Sequence, residues 1–297
     1  MQFSIIIPTF NRASFIRVTV NSILNQTVKD FEIIIVDDDS TDGTEEVIRT
    51  NFGNLIEVKY FRKENEERGA ARNFGMRKAK GDYVVFLDSD DRMKTNYLEI
   101  LSGLINKHQP LYLATRYKFH DGKGHEWSSS MRSINEGWYG RELFLKGNSL
   151  ACNFCVRLNN PDLHYFPEER ELASMEDWLF LLLNINGNKI YIGEQTGVLM
   201  LEHSGRSMSN NRKIIEARNK ATEWAIEKIN LSKRDKNILT AYSHYFCGIH
   251  EYLEGRKKAA IHQSIMAMKQ EGMKAEFIQL FIKSIIGKRF IERLKPS

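Results

Sequence analysis

Cysteine is scarce in this chain, with three in 297 residues, too few for the paired framework of a disulfide-stapled domain. Cys152 and Cys155 have the C-x-x-C spacing of a zinc or redox site. The segment 151–156 reads as a strand, however, and residues three apart on a strand point to opposite faces. All three thiols, Cys247 included, are therefore expected as small core residues. Long hydrophobic runs are also missing: no stretch approaches the roughly 20 apolar residues that cross a bilayer. Met1-Gln2-Phe3-Ser4 leads directly into Ile5-Ile6-Ile7, with no basic region before the apolar run and no small-residue cleavage site after it, so a cytoplasmic location is expected. The Gly-x-Gly-x-x-Gly fingerprint of dinucleotide binding does not follow the first apolar run. Neither internal repeats nor low-complexity tracts occur.

What remains is an ordinary globular composition, 42% hydrophobic and 27% charged. The length suggests one large domain with an appendage. The net charge of +5 is unevenly placed. From Arg212 onward there are 18 Lys/Arg against 9 Asp/Glu, whereas residues 1–211 carry 25 against 29. A tail with its own sign points to an acidic surface as partner.

The first 90 residues alternate between apolar runs and helical periodicity. Phe3–Phe10, Phe31–Val36, Ile56–Phe61 and Tyr83–Leu87 read as strands. Helices are predicted at Ala13–Gln26, from the Ser40–Gly43 stretch through Asn51, and at Gly69–Lys80. Strands apolar on both faces and alternating with helices mean an α/β fold, a mostly parallel sheet covered on both sides. In such sheets ligands bind beyond the carboxyl ends of the strands, and those ends carry Thr9, Asp37-Asp38 and Asp88-Ser89-Asp90-Asp91. Further on, strands are predicted at 111–119, 151–157, 189–192 and 197–202, with short helices at Tyr139–Lys146 and Glu176–Asn184. After Asn211 only helical patterns follow. A boundary near residue 210 would separate a catalytic part, with a ligand-binding half at 1–110 and a second half at 111–210, from a helical region at 211–297.

Two carboxylates one residue apart at the exit of a buried strand, Asp88 and Asp90, repel each other and resist burial. A divalent cation removes both objections, because hard oxygen ligands suit Mg²⁺ or Mn²⁺, which complete their shells with water and phosphates. The bland alternative is a cap for a helix starting near Lys94. Asp37 and Asp38 form a second acidic end, able to accept from the imide of a pyrimidine or from ribose hydroxyls. Capping by Asp39, Ser40 or Thr41 accounts for the rest of that cluster. Arg68 and Arg72, four apart, could clamp a diphosphate near a helix N-terminus or pair with Glu64, Glu66 or Glu67.

The segments Ser4–Arg12, Val36–Gly43, Glu67–Asn73 and Val85–Asp91, in this order, resemble the family 2 inverting glycosyltransferases of the GT-A fold. The likeness is strong over residues 3 to about 91 and looser to about 210. It implies a sugar-nucleotide enzyme, a UDP-sugar first among the donors, acting on a glycan or lipid-linked saccharide and not on nucleic acid, with the donor bound by the half at 1–110 and the acceptor by the half at 111–210. Pro8, Thr9, Asn11, Arg12, Asp37, Asp38, Arg68, Asp88, Ser89 and Asp90 would line the donor site. Asp38 would meet the base, Asp88 the ribose, and Asp90 the metal, Mg²⁺ or Mn²⁺. Asp91 would only cap the next helix. Two departures stand out: Asp39 where the family usually has Gly, and Gly69 where Ser is common. Met175-Glu176-Asp177-Trp178 resembles the Glu-Asp pair that heads a helix, with Asp177 as catalytic base and Glu176 next in line; a helix cap is the plain alternative. The segment 201–209 resembles the family's closing stretch, and His203 could complete the metal shell or contact the leaving diphosphate.

In the tail, Phe277, Ile278, Phe281, Ile282, Ile285 and Ile286 share about one face, with Lys and Arg around them. That helix either packs on the catalytic part or lies on an anionic membrane surface through residues 274–297. Rival readings are a nucleotidyltransferase, which would want a Gly- and Lys-rich loop after the first strand, or a non-catalytic nucleotide-sugar-binding scaffold.

Overall fold

The structure, a computed structural model, describes residues 1–203 and 210–287. The chain opens with β1 (Phe3–Thr9), α1 (Ile16–Leu24), β2 (Phe31–Asp37), α2 (Thr44–Phe52), β3 (Val58–Arg62), α3 (Glu67–Lys78) and β4 (Tyr83–Phe86). Next come β5 (Arg92–Met93), α4 (Tyr97–His108), β6 (Tyr112–His120), β7 (Glu126–Ser128), β8 (Gly137–Tyr139), β9 (Phe154–Arg157), α5 (Glu176–Asn184) and β10 (Ile190–Leu201). Four helices complete the described chain: α6 (Asn211–Lys228), α7 (Lys233–Leu253), α8 (Lys257–Glu271) and α9 (Ala275–Ile286).

One mixed sheet runs in the order β3-β2-β1-β4-β9-β6-β10-β5, with β7 beside β6 and β8 beside β10. β1 to β4 are mutually parallel, and β9 enters antiparallel between β4 and β6. Ile5, Ile6 and Ile7 are fully buried, as are Ile33, Ile34 and Ile35. Burial of every residue on both faces is what a central parallel strand requires, each such side chain contributing about 1.5–3 kcal/mol. Helices cover both faces, and Gly75 lets α3 lie close to β1: a Cβ there would sit 2.5 Å from Ile6.

Several sequence expectations change. The two strands predicted at 189–192 and 197–202 are one strand, β10, whose register against β6 slips between Gly193 and Val198; the bulge breaks the alternation that local reading relies on. The helix predicted over Tyr139–Lys146 is instead β8 followed by a single 3₁₀ turn at Arg141–Leu143. Trp138 and Tyr139 are used for pairing with β10. β3 starts at Val58, which leaves Ile56 90% exposed in the preceding turn. Cys152 lies in a turn just before β9 and Cys155 within it, both buried and free.

The hydrophobic core does not stop at residue 210. Ile214, Ala217, Ala221 and Ala225 of α6 and Leu239 of α7 belong to the same buried cluster as the sheet. Arg218 of α6 is buried, its guanidinium carbon 3.5 Å from the ring centre of Trp178 on α5 and 5.1 Å from that of Phe246. Its Nε donates to Ser243 Oγ at 3.0 Å, and burial lowers its pKa to about 9. In α9 the apolar face proposed from sequence is divided. Phe277 and Leu280 are buried, whereas Ile282, Ile285 and Ile286 point outward. The basic residues Lys288, Arg289, Arg293 and Lys295 lie outside the described residues.

Candidate active site

Each polar strand end opens onto one cleft of about 470 Å³, lined by Pro8, Thr9, Phe10, Arg12, Asp38, Asn65, Glu67, Arg68, Ala71, Asp88, Ser89, Asp90 and Arg170. β1 delivers Thr9, β2 delivers Asp38 and β4 delivers the Asp88-Ser89-Asp90 turn, because parallel register aligns their carboxyl ends. Thr9 is 3% exposed, and its Oγ1 has no hydrogen-bond partner among the described residues. A buried hydroxyl at a cleft wall is placed to pair with a ligand or with water. Phe10 is 47% exposed there, an aromatic face that sequence reading did not single out.

Asp38 is buried and held by Lys63 Nζ at 2.9 Å and by the Glu66 N–H at 3.0 Å. The expected donor residues Asn11 and Asp37 are not among those lining the cleft. Asp37 is fully buried, and its oxygens accept from the Ser40 N–H at 2.8 Å and from Tyr60 Oη at 2.7 Å. Asn11 spends its side-chain oxygen on the Thr41 N–H at 2.8 Å. Both shape the β1 and β2 loops instead.

Helix capping does not account for the acidic turn. α4 begins at Tyr97 behind Asn96, six residues past Asp90. Asp88 accepts from Arg72 Nη2 at 2.8 Å. Asp90 Oδ2 lies 3.0 Å from His203 Nε2 and 3.4 Å from Arg12 Nε. Asp91, expected as a cap, is buried and accepts from the Leu201 N–H at 3.1 Å, which ties the turn to the end of β10. Of the closing stretch, Ser204–Ser209 lies outside the described residues; the His203 ring packs against Phe15 in a tilted arrangement, ring centres 4.8 Å apart.

The two departures from the family pattern have physical explanations. Asp39 sits at φ +74°, in the left-handed region where Gly is favoured, and its carboxylate pairs with Arg62 Nη2 at 2.8 Å. A Cβ on Gly69 would come within 2.6 Å of the Pro167 carbonyl, so here a Ser would push the 167 loop away.

Arg72 pairs with none of Glu64, Glu66 and Glu67, the partners read from the sequence. It is 1% exposed and bridges Asp88 and, through Nη1 at 2.7 Å, Glu176 Oε1. Arg68 stays at the cleft wall, its Nε 3.6 Å from the same Glu176 oxygen. Glu176 and Asp177 form the first turn of α5. Asp177 accepts from Asn148 Nδ2 at 2.9 Å and from the Trp178 N–H at 2.7 Å. It does not line the cleft, but belongs to the charge cluster of Asp88, Arg72 and Glu176 beside it. Burial, and next the Glu176 charge, push its carboxyl up to about 7 despite Arg72. The Arg72–Glu176 bridge, Asn148 and Arg170 escaped sequence reading, since their partners lie up to 105 residues away.

The described residues include no group of three His, Cys, Asp or Glu placed to hold a metal. A carboxylate and an imidazole 3.0 Å apart, Asp90 and His203, nonetheless match Mn²⁺, or Mg²⁺ that draws its other ligands from phosphate and water.

The model of the family described as "Glycosyl transferase family 2" matches residues 4–159. The chain belongs to that family. An "uncharacterized glycosyltransferase" of Rickettsia bellii is 35% identical over 145 residues, 49% of this chain and 20% of that protein. The poly(ribitol-phosphate) beta-N-acetylglucosaminyltransferase TarS of Staphylococcus aureus is 30% identical over 197 residues, 65% of this chain and 34% of that protein. The chain thus matches only a fifth to a third of the length of these curated relatives. In three dimensions it resembles S. aureus TarS 1–349 in complex with UDP-GlcNAc, with TM-score 0.71, 22% identity and coverage of 96% and 90% of the two chains. The mannosyltransferase PcManGT of Pyrobaculum calidifontis, in complex with GDP-Man and Mn²⁺, gives 0.64 at 15% identity, covering 98% and 82%. The GT-A fold with a C-terminal helical extension is thereby established for the chain.

Proposed function

We propose that this chain transfers a sugar from a nucleoside diphosphate-sugar, a UDP-sugar foremost, to a hydroxyl of a glycan or lipid-linked acceptor, by single displacement with inversion. The carrying observation is the pairing of an acidic and arginine-lined cleft at the strand ends with a raised carboxyl, Asp177, beside it. The base would lie against Phe10 and donate to Asp38, while the free Thr9 hydroxyl takes a nucleoside contact. Arg68 would pair with the diphosphate. Bound Mg²⁺ or Mn²⁺ at Asp90 and His203 would offset the charge of the departing diphosphate. Asp177 would take the proton from the acceptor hydroxyl as it attacks the anomeric carbon, which needs no enzyme-bound intermediate. The UDP-GlcNAc complex of TarS supports a uridine donor by likeness of fold.

Thermal-shift screening of UDP-, dTDP- and GDP-sugars with Mn²⁺ is expected to single out one nucleotide class. EDTA and Asp90→Ala should each shrink the shift; stabilisation by none of the donors would sink the reading.

No helix among the described residues is long and apolar enough to cross a membrane. We extend the proposal to peripheral binding. Ile282, Ile285 and Ile286 point outward on α9 near the exposed Lys283, the composition of an interfacial helix. Co-sedimentation should occur with phosphatidylglycerol vesicles and fall off with phosphatidylcholine alone; equal recovery in both removes this extension.

A further inference from the structure

A second and larger cavity, about 720 Å³, opens between the 171–174 turn and α6. Glu67 and Arg170 line both it and the donor cleft, so the two spaces adjoin. One wall carries Ala173 and Ser174, three residues before Asp177, a separation the chain spans in about 10 Å. The opposite wall is the face of α6 that repeats Lys213, Glu216, Lys220 and Glu223, at helical spacing over Ile214 and Ala217.

We infer that this groove is the acceptor site, and that it takes an uncharged, hydroxyl-rich saccharide rather than a polyanion. The inference rests on the glycosyl-transfer reading above. Arg170, Lys213 and Lys220 are opposed by Glu67, Glu171, Glu216 and Glu223. A polyphosphate needs a cationic majority, and four carboxylates along its path would repel it. Sugar hydroxyls use both signs, donating to carboxylates and accepting from ammonium and guanidinium groups. α6 would then belong to the enzyme's substrate site rather than to an appendage.

The test measures binding directly, on the full chain, by saturation-transfer NMR and titration with chitotriose, maltotriose, mannotriose and poly(ribitol-phosphate). At least one neutral trisaccharide should bind, and Lys220→Ala/Glu223→Ala, on exposed positions, should weaken it tenfold or more. UDP-sugar affinity and acceptor-free donor hydrolysis should stay unchanged in that variant. Tighter binding of poly(ribitol-phosphate) than of every trisaccharide, no trisaccharide binding, or binding untouched by the double variant would each overturn the inference. Donor affinity read in the same samples separates the cases: if donor binds and the groove fails, only the acceptor assignment falls.

Discussion

Asp177→Asn should abolish transfer while leaving donor affinity intact. A positioned general base contributes on the order of 10²–10⁴ in rate, and an amide of the same shape keeps the volume beside Asn148 and Trp178 while removing the proton acceptor. The wild-type rate should fall about tenfold per pH unit as pH drops below about 7, because the carboxyl is raised by burial and by Glu176. Stability moves the other way. A carboxyl raised on folding binds its proton more tightly in the native state, so it weakens the fold progressively as pH rises from about 4 to about 7. Asp177→Asn should therefore match wild type at acid pH and be the more stable protein above neutrality. Rate measurement across pH 5–9 with paired denaturation curves checks both limbs. Retained transfer in the variant would move the base to another group, Glu176 first.

The largest stability loss is expected from Arg72→Met. Arg72 is nearly inaccessible and spans two carboxylates, one of them the buried Glu176, whose second oxygen has no hydrogen-bond partner among the described residues. Removing one partner of a buried ion pair costs about 3–5 kcal/mol, since the other charge is left uncompensated. That corresponds to a fall in melting temperature of about 5–8 °C for a chain of this size. Adding Glu176→Gln to Arg72→Met should restore a good part of the loss, and a double-mutant cycle reads the coupling. Arg72→Lys should rescue poorly, because one ammonium cannot reproduce a forked contact to two carboxylates. If Arg72→Met melts within 2 °C of wild type, the bridge is not a structural keystone.

Much of this was legible beforehand, for identifiable reasons. The strand ends at Thr9, Asp38 and Asp88–Asp90 could be found because local apolar runs mark buried parallel strands and topology then gathers their ends. The helix at Glu176–Asn184 coincided with its predicted bounds, its acidic start and apolar body being local signals. Arg72 could only be left between two roles, because its partners at 88 and 176 are brought to it by the sheet. Asp91, expected as a cap, and Asp37, expected at the donor site, are likewise held by groups distant in sequence, the Leu201 amide and the Tyr60 hydroxyl. β10 and β8 were misread because a bulge and a short edge pairing override periodicity, and the groove along α6 joins segments some 150 residues apart.

The stack of Arg218 on Trp178 ties the end of the chain to its chemistry. Trp178 is the neighbour of Asp177 and gives it a backbone hydrogen bond. A chain cut after residue 210 would uncover the back of that indole and let water reach the rear of the helix that carries Asp177. Exchanging the terminal helices for those of a relative would thus change the surroundings of the proposed base, so α6 and α5 are constrained to vary together.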